Sequence, residues 1–222
     1  MGVSFAAPTR TWADRLARTR IKICGLTRGQ DVVAAVDAGA DAVGFVFYPP
    51  SPRFVDAPRA AELCALLPPF VTPVGLFVNA DRAWIDEILA QVPLQLLQFH
   101  GDEDEHDCLA AGRPYIKAAR MRPGFDLVDY AARFPSARAI LLDAFVEGYG
   151  GGGKVFDWSL IPQDFSRPLV LSGGLDEGNV ADAIRRLRPQ AVDVSSGVES
   201  ARGIKDTSKI RRFVAGVRNA DG

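Results

Sequence analysis

A thiol, a carboxylate, a guanidinium and two glycine turns stand where this 222-residue chain could act on a small anionic molecule. Cys24 ends the apolar run Ile21-Lys22-Ile23-Cys24. A thiol there serves as a small buried hydrophobe, or as a base or nucleophile if a cation or helix N-terminus lowers its pKa from about 8.5. Lys22, two residues back on a strand, shares its face. Asp143 ends Ile140-Leu141-Leu142-Asp143, where desolvation favours the neutral, proton-donating form; the alternative is a loop-capping carboxylate. Arg53 closes Pro49-Pro50-Ser51-Pro52-Arg53, a stiff loop that suits bidentate capture of a carboxylate if the side chain is not merely solvated. The turns Ser172-Gly173-Gly174 and Ser195-Ser196-Gly197 can each turn backbone N–H groups toward a phosphate.

Other residues carry weaker signals. Gly148 to Lys154 fits GxxxxGK, but Val155 stands where a Walker loop needs Ser or Thr for magnesium. The stretch is expected to be a lid with Lys154 as its working residue, not an ATP site. His100 is equally a packed strand-end residue or a ligand, whereas Cys64 and Cys108 fall in helical patterns and are expected to be structural.

Eight strand-like runs must position these groups: residues 21–24, 42–47, 73–78, 94–99, 115–119, 139–142, 169–171 and 191–194. They show little polar alternation, as strands buried on both faces do. Between them apolar residues recur at i, i+3, i+4 and i+7, as in Val32, Ala35, Val36, Gly39 and again in Ile85, Ile88, Leu89, Val92. The helices after the fourth and sixth strands are indistinct. Asp31, Asp81 and Asp176 sit where an N-cap or first-turn carboxylate is favoured. The pattern predicts an α/β fold, a single-domain (β/α)8 TIM barrel over residues 20–222, with residues 1–19 an extension outside the function. The site then lies at the C-terminal strand ends: Cys24, Tyr48 to Arg53, Asn79, His100, Arg120, Asp143, Ser172 to Leu175 and Ser195 to Glu199. Two anion-binding turns after strands seven and eight point to a phosphorylated small molecule.

Composition narrows the class. With 26 Lys+Arg against 27 Asp+Glu the net charge is −1, which speaks against nucleic acid as partner. No apolar run reaches the ~20 residues of a membrane span, so no membrane partner and a cytoplasmic location are expected. Three cysteines without a CxxC pair and two histidines make neither a disulfide framework nor a zinc motif, so no metal is expected.

The segment Lys22 to Arg28, KICGLTR, resembles the opening motif of the phosphoribosylanthranilate isomerases. The likeness continues through GFVFYPPSPR (44–53), PVGLFVN (73–79), LLQFHGDE (96–103), LLDA (141–144), GGGGKVFDW (150–158), SGGL (172–175) and VDVSSGVES (192–200). The resemblance implies conversion of N-(5-phosphoribosyl)anthranilate to 1-(2-carboxyphenylamino)-1-deoxyribulose 5-phosphate by an Amadori rearrangement in tryptophan biosynthesis, without metal or coenzyme. It implies Asp143 as general acid and Cys24 as general base. Arg53 would hold the anthranilate carboxylate, and Gly173, Gly174, Ser196 and Gly197 the phosphate. Gly152 departs from the family's usual Thr in the loop that holds Lys154. The expected partner is the small phosphosugar, in a monomer or homodimer. Two alternatives stand beside this: indoleglycerol-phosphate synthase chemistry using Lys117, and a phosphosugar-binding barrel that is non-catalytic or of different specificity.

Overall fold

The computed structural model describes residues 18–145 and 155–222, and eight strands in it close into one parallel barrel. The first half of the chain runs β1 (Arg20–Cys24), α1 (Gly29–Ala38), β2 (Ala42–Phe47), α2 (Ala57–Cys64), β3 (Thr72–Phe77), α3 (Arg82–Gln91), β4 (Leu96–Phe99) and α4 (Glu105–Ala110). The second half runs β5 (Tyr115–Met121), α5 (Leu127–Ala132), β6 (Ile140–Ala144), β7 (Leu169–Leu171), α6 (Val180–Leu187) and β8 (Ala191–Val194). A hairpin of β9 (Glu199–Ala201) and β10 (Ile204–Lys205) then precedes α7 (Thr207–Asp221). β8 returns to β1 with Val192 opposite Ile21 and Val194 opposite Ile23, which closes the ring.

Strand alternation sorts the side chains into two layers. Ile21, Ile23, Phe45, Phe47 and Phe77 face outward and join the helices' apolar stripes in the main core, where the Phe47 and Phe77 rings stack at 5.2 Å. Ile116, Ala118, Leu141 and Val170 form a smaller cluster, two residues below cavity-lining positions such as Asp143 and Ser172. The barrel floor is therefore apolar, and polar residues line the cavity at its upper end.

Asp residues start five of the helices. Asp56, Asp81, Asp104, Asp126 and Asp206 each accept a backbone N–H three residues on, satisfying a donor that the first helical turn leaves over. Asp31 sits in the first turn of α1, whereas Asp176 holds the turn ahead of α6 by accepting from Gly178 and Asn179. Asn179 itself occupies the N-cap position of α6. After β6 the described residues hold only a 3-10 turn, Trp158–Leu160, which explains why no helical period shows there.

At the opposite end from the site, Asp41 receives Arg18 and the Ile21 N–H, and Asp221 receives the Thr19 N–H and hydroxyl. Residues 18 and 19 thus tie the entry of the barrel to its last helix. Among the described residues no helix is long and apolar enough to cross a membrane.

Candidate active site

Each barrel strand delivers its last residues to one rim, and there a cavity opens. Cys24, Arg53, Asp143, Gly173, Gly174 and Ser196 all line it. Gly197 lies just behind Ser196, against the Leu175 carbonyl. Lys154 and Gly152 fall outside the described residues.

Cys24 is buried at the end of β1, directly opposite Gly44 of β2 in the parallel register. A Cβ at Gly44 would stand 2.7 Å from Cys24 Sγ, so this glycine makes the room in which the thiol sits. Below the thiol, Lys22 Nζ donates to Asp193 Oδ1 at 2.8 Å, both side chains nearly fully buried. The cation expected beside Cys24 is therefore present. Yet burial pushes the thiol above its ordinary value, with the Lys22 ammonium opposing and the Asp193 carboxylate adding to the rise. Lys22 also hydrogen-bonds the thiol, but burial outweighs the lowering this strand neighbour brings.

Asp143 projects from β6 across the same cavity. Its Oδ1 accepts the Ala144 N–H at 2.8 Å, and its Oδ2 lies 3.2 Å from His100 Nε2. The Gln98 side-chain amide lies 2.9 Å from His100 Nδ1, so the ring bridges Gln98 and Asp143. His100 is thus neither idle packing nor an isolated ligand, because it orients the carboxylate. Gly173 makes the approach of the β7 turn possible: its φ is +79, and a Cβ there would come within 2.6 Å of the Ala144 nitrogen.

Arg53 is buried, not solvated. Its Nε and Nη2 donate to the two oxygens of Glu199 at 2.7 and 2.9 Å, and Lys205 Nζ donates to Glu199 Oε1 at 2.9 Å. Burial would raise the Glu199 carboxyl, but Arg53 and Lys205 together hold it below the ordinary carboxylate value. Burial pushes the Lys205 ammonium down, with Glu199 opposing.

Two strand-end residues fall away from the cavity. Asn79 builds the β3–β4 rim, its N–H donating to Glu103 and its Oδ1 accepting from Asp102. Arg120 pairs with Asp102 and borders a neighbouring cavity with Arg122 and Arg133. Asn79 follows the outward alternation of Phe77, whereas Leu76 and Val78 line the cavity. Lys117 is also excluded from the site: fully buried, it donates to the Gly101 carbonyl and to Glu103. Gln98, Asp193 and Lys205 received no role from sequence, and Glu199 only a place in the stretch after strand eight. Two signals were available, the polar interruptions in apolar strands and the charges flanking the Ser195 turn.

Comparison with known proteins gives the family. The family model described as N-(5'phosphoribosyl)anthranilate (PRA) isomerase matches residues 21–216. The chain belongs to this isomerase family. It is 65% identical over 205 residues to N-(5'-phosphoribosyl)anthranilate isomerase of Leptothrix cholodnii, covering 92% of this chain and 93% of that one. The crystal structure of phosphoribosyl anthranilate isomerase from Thermotoga maritima matches with a TM-score of 0.84 at 43% identity, over 90% of this chain and 99% of that chain. Another, of an isomerase in complex with reduced 1-(o-carboxyphenylamino)-1-deoxyribulose 5-phosphate, matches with a TM-score of 0.81 at 41% identity, with the same coverage. As a member of the family, the chain is an isomerase of tryptophan biosynthesis with a TIM-barrel fold.

Proposed function

We propose that the chain isomerises N-(5-phosphoribosyl)anthranilate to 1-(2-carboxyphenylamino)-1-deoxyribulose 5-phosphate with Cys24 and Asp143 as its acid–base pair. One observation carries the assignment: a thiol, a carboxyl group, a guanidinium and two glycine turns line or border a single cavity. Asp143 gives a proton to the ribose ring oxygen as the C1–O bond breaks, and the anilino nitrogen lone pair forms the Schiff base. The Cys24 thiolate takes the C2 proton, and those electrons neutralise the iminium to give the enolamine, which tautomerises to the ketone. Arg53 holds the ring carboxylate. Gly173, Gly174, Ser196 and Gly197 hold the phosphate through backbone N–H groups. Lys154 acts from the loop after β6. Burial raises the thiol, and the cation formed on ring opening favours its ionisation.

The remaining assignments extend this one. The working unit is residues 20–222, acting in the cytoplasm as a monomer or homodimer on its phosphosugar alone. Dimerism has a precedent in a Thermotoga maritima isomerase described as dimeric, 40% identical with a TM-score of 0.81. Residues 1–19 take no part in the chemistry.

The test supplies substrate in situ from anthranilate and phosphoribosyl pyrophosphate with a separate transferase, and separates the isomeric product by chromatography. The expected result is product above the spontaneous background, with kcat reduced at least ~10²-fold in Cys24→Ala and in Asp143→Asn while folding is retained. Normal turnover in either variant removes that residue from the mechanism. Absence of product from the folded wild type favours a phosphosugar-binding barrel of other specificity.

A further inference from the structure

We infer that Glu199 is a positioning residue that sets Arg53 for the aromatic carboxylate of the substrate, with Lys205 fixing Glu199 in turn. The inference rests on the proposed role of Arg53.

The geometry is specific. Glu199 takes the Nε–Nη2 edge of the guanidinium with both oxygens, at 2.7 and 2.9 Å, so the plane of the fork is fixed rather than merely its charge. This uses one edge and leaves the terminal Nη1–Nη2 edge as the one a second carboxylate can meet. Lys205 reaches Glu199 Oε1 at 2.9 Å and also donates to the Ser195 carbonyl at 3.0 Å and hydroxyl at 3.2 Å. Ser195 lines the cavity and directly precedes the Ser196-Gly197 turn. The β9–β10 hairpin, which carries Glu199 and Lys205, thereby links the β2 loop to the β8 turn. These are the two places assigned to the substrate's carboxylate and phosphate.

Mere attachment of the hairpin explains this poorly, because burying three charged side chains is costly where apolar packing would serve. The side-chain exposures are 9% for Arg53, 6% for Glu199 and 0% for Lys205. Charge and positioning predict opposite signs for loss of Glu199. If only local charge mattered, removing a carboxylate beside Arg53 would tighten anion binding; if orientation matters, it weakens binding of the ring carboxylate selectively.

The experiment measures inhibition constants of two ligands: reduced 1-(2-carboxyphenylamino)-1-deoxyribulose 5-phosphate, and the same compound without the ring carboxylate. Wild type is expected to bind the carboxylated ligand at least ~10-fold more tightly, the advantage of a hydrogen-bonded ion pair. In Glu199→Gln that advantage is expected to fall at least ~10-fold, while the constant for the carboxylate-free ligand, a readout of the phosphate and ribose sites, changes less than ~3-fold. Glu199→Asp keeps the charge but shortens the reach, and is expected to lose the advantage in the same sense. It also supplies the comparison if Glu199→Gln does not fold. A wild-type advantage that survives in these variants, or grows, overturns the inference alone. A wild type with no carboxylate advantage overturns the role of Arg53 as well.

Discussion

Cys24 shows how one side chain's behaviour is set by competition among its neighbours. Lys22 stands where a strand neighbour must stand and shares its ammonium between Asp193 and the thiol, but burial of the thiol outweighs that attraction. A thiol held above its ordinary value is neutral below that value, so its reactive form grows as pH rises. Alkylation of Cys24 by iodoacetamide, followed by peptide mass, is accordingly expected to be slow at neutral pH and to accelerate on the alkaline side. kcat/KM is expected to rise over the same range. Rapid labelling that is flat with pH at neutrality would show a thiolate already formed. Cys64 and Cys108, pushed by burial to about 11 and about 12, supply slow internal controls.

At the scale of elements, the parallel register of β1 and β2 decides what can stand beside the thiol. Cys24 pairs with Gly44, and the missing side chain of Gly44 is the space that Sγ and Lys22 Cε occupy. Gly44→Ala forces Sγ to move, because 2.7 Å is well inside van der Waals contact. A displacement approaching 1 Å costs about 10²-fold in rate, and overpacking of this kind costs ~1–3 kcal/mol of stability. The variant is expected to lose kcat by roughly 10- to 100-fold while still melting cooperatively, read by steady-state kinetics and circular dichroism. Full activity would mean that Cys24 does not depend on this placement.

For the whole molecule, closure of the barrel is tied down at the end far from the site. Asp41 accepts from Arg18 and from the Ile21 backbone, and Arg20 and Arg218 lie within ion-pair distance. Burial would raise its carboxyl, but the Arg18 hydrogen bond, the Ile21 N–H and the surrounding charge hold it below the ordinary 3.8. A folded value below the unfolded one gives stability that is complete above the unfolded carboxylate range and is lost as pH falls through it toward the folded value. Asp41→Asn is expected to cost about 1–2 kcal/mol at neutral pH, discounted for partly exposed arginines. Its urea midpoint should also fall less than that of wild type on acidification below 3.8. Equal acid losses in the two proteins would remove Asp41 from the barrel's acid sensitivity.

The sequence by itself determined the eight strands and most of their ends, although β5 and β6 each run two residues past the predicted 119 and 142 and only a 3-10 turn follows β6 among the described residues. Both follow from local periodicity: the burial of Val32, Ile85 and Val180, and the rim positions of Cys24 and Asp143, need only the pattern of a short window. Only the tertiary structure decided which charges meet. Asp143 and His100 are 43 residues apart, Arg53 and Glu199 146, and Lys22 and Asp193 171. No local pattern fixes such partners, because ring closure and the pitch of each strand set the last few ångströms. Burial inside the closed barrel also raised the thiol that its strand neighbour alone would have lowered. Residue types at strand ends are written in the chain, whereas their protonation and aim depend on desolvation and distant charges that exist only once the barrel has closed.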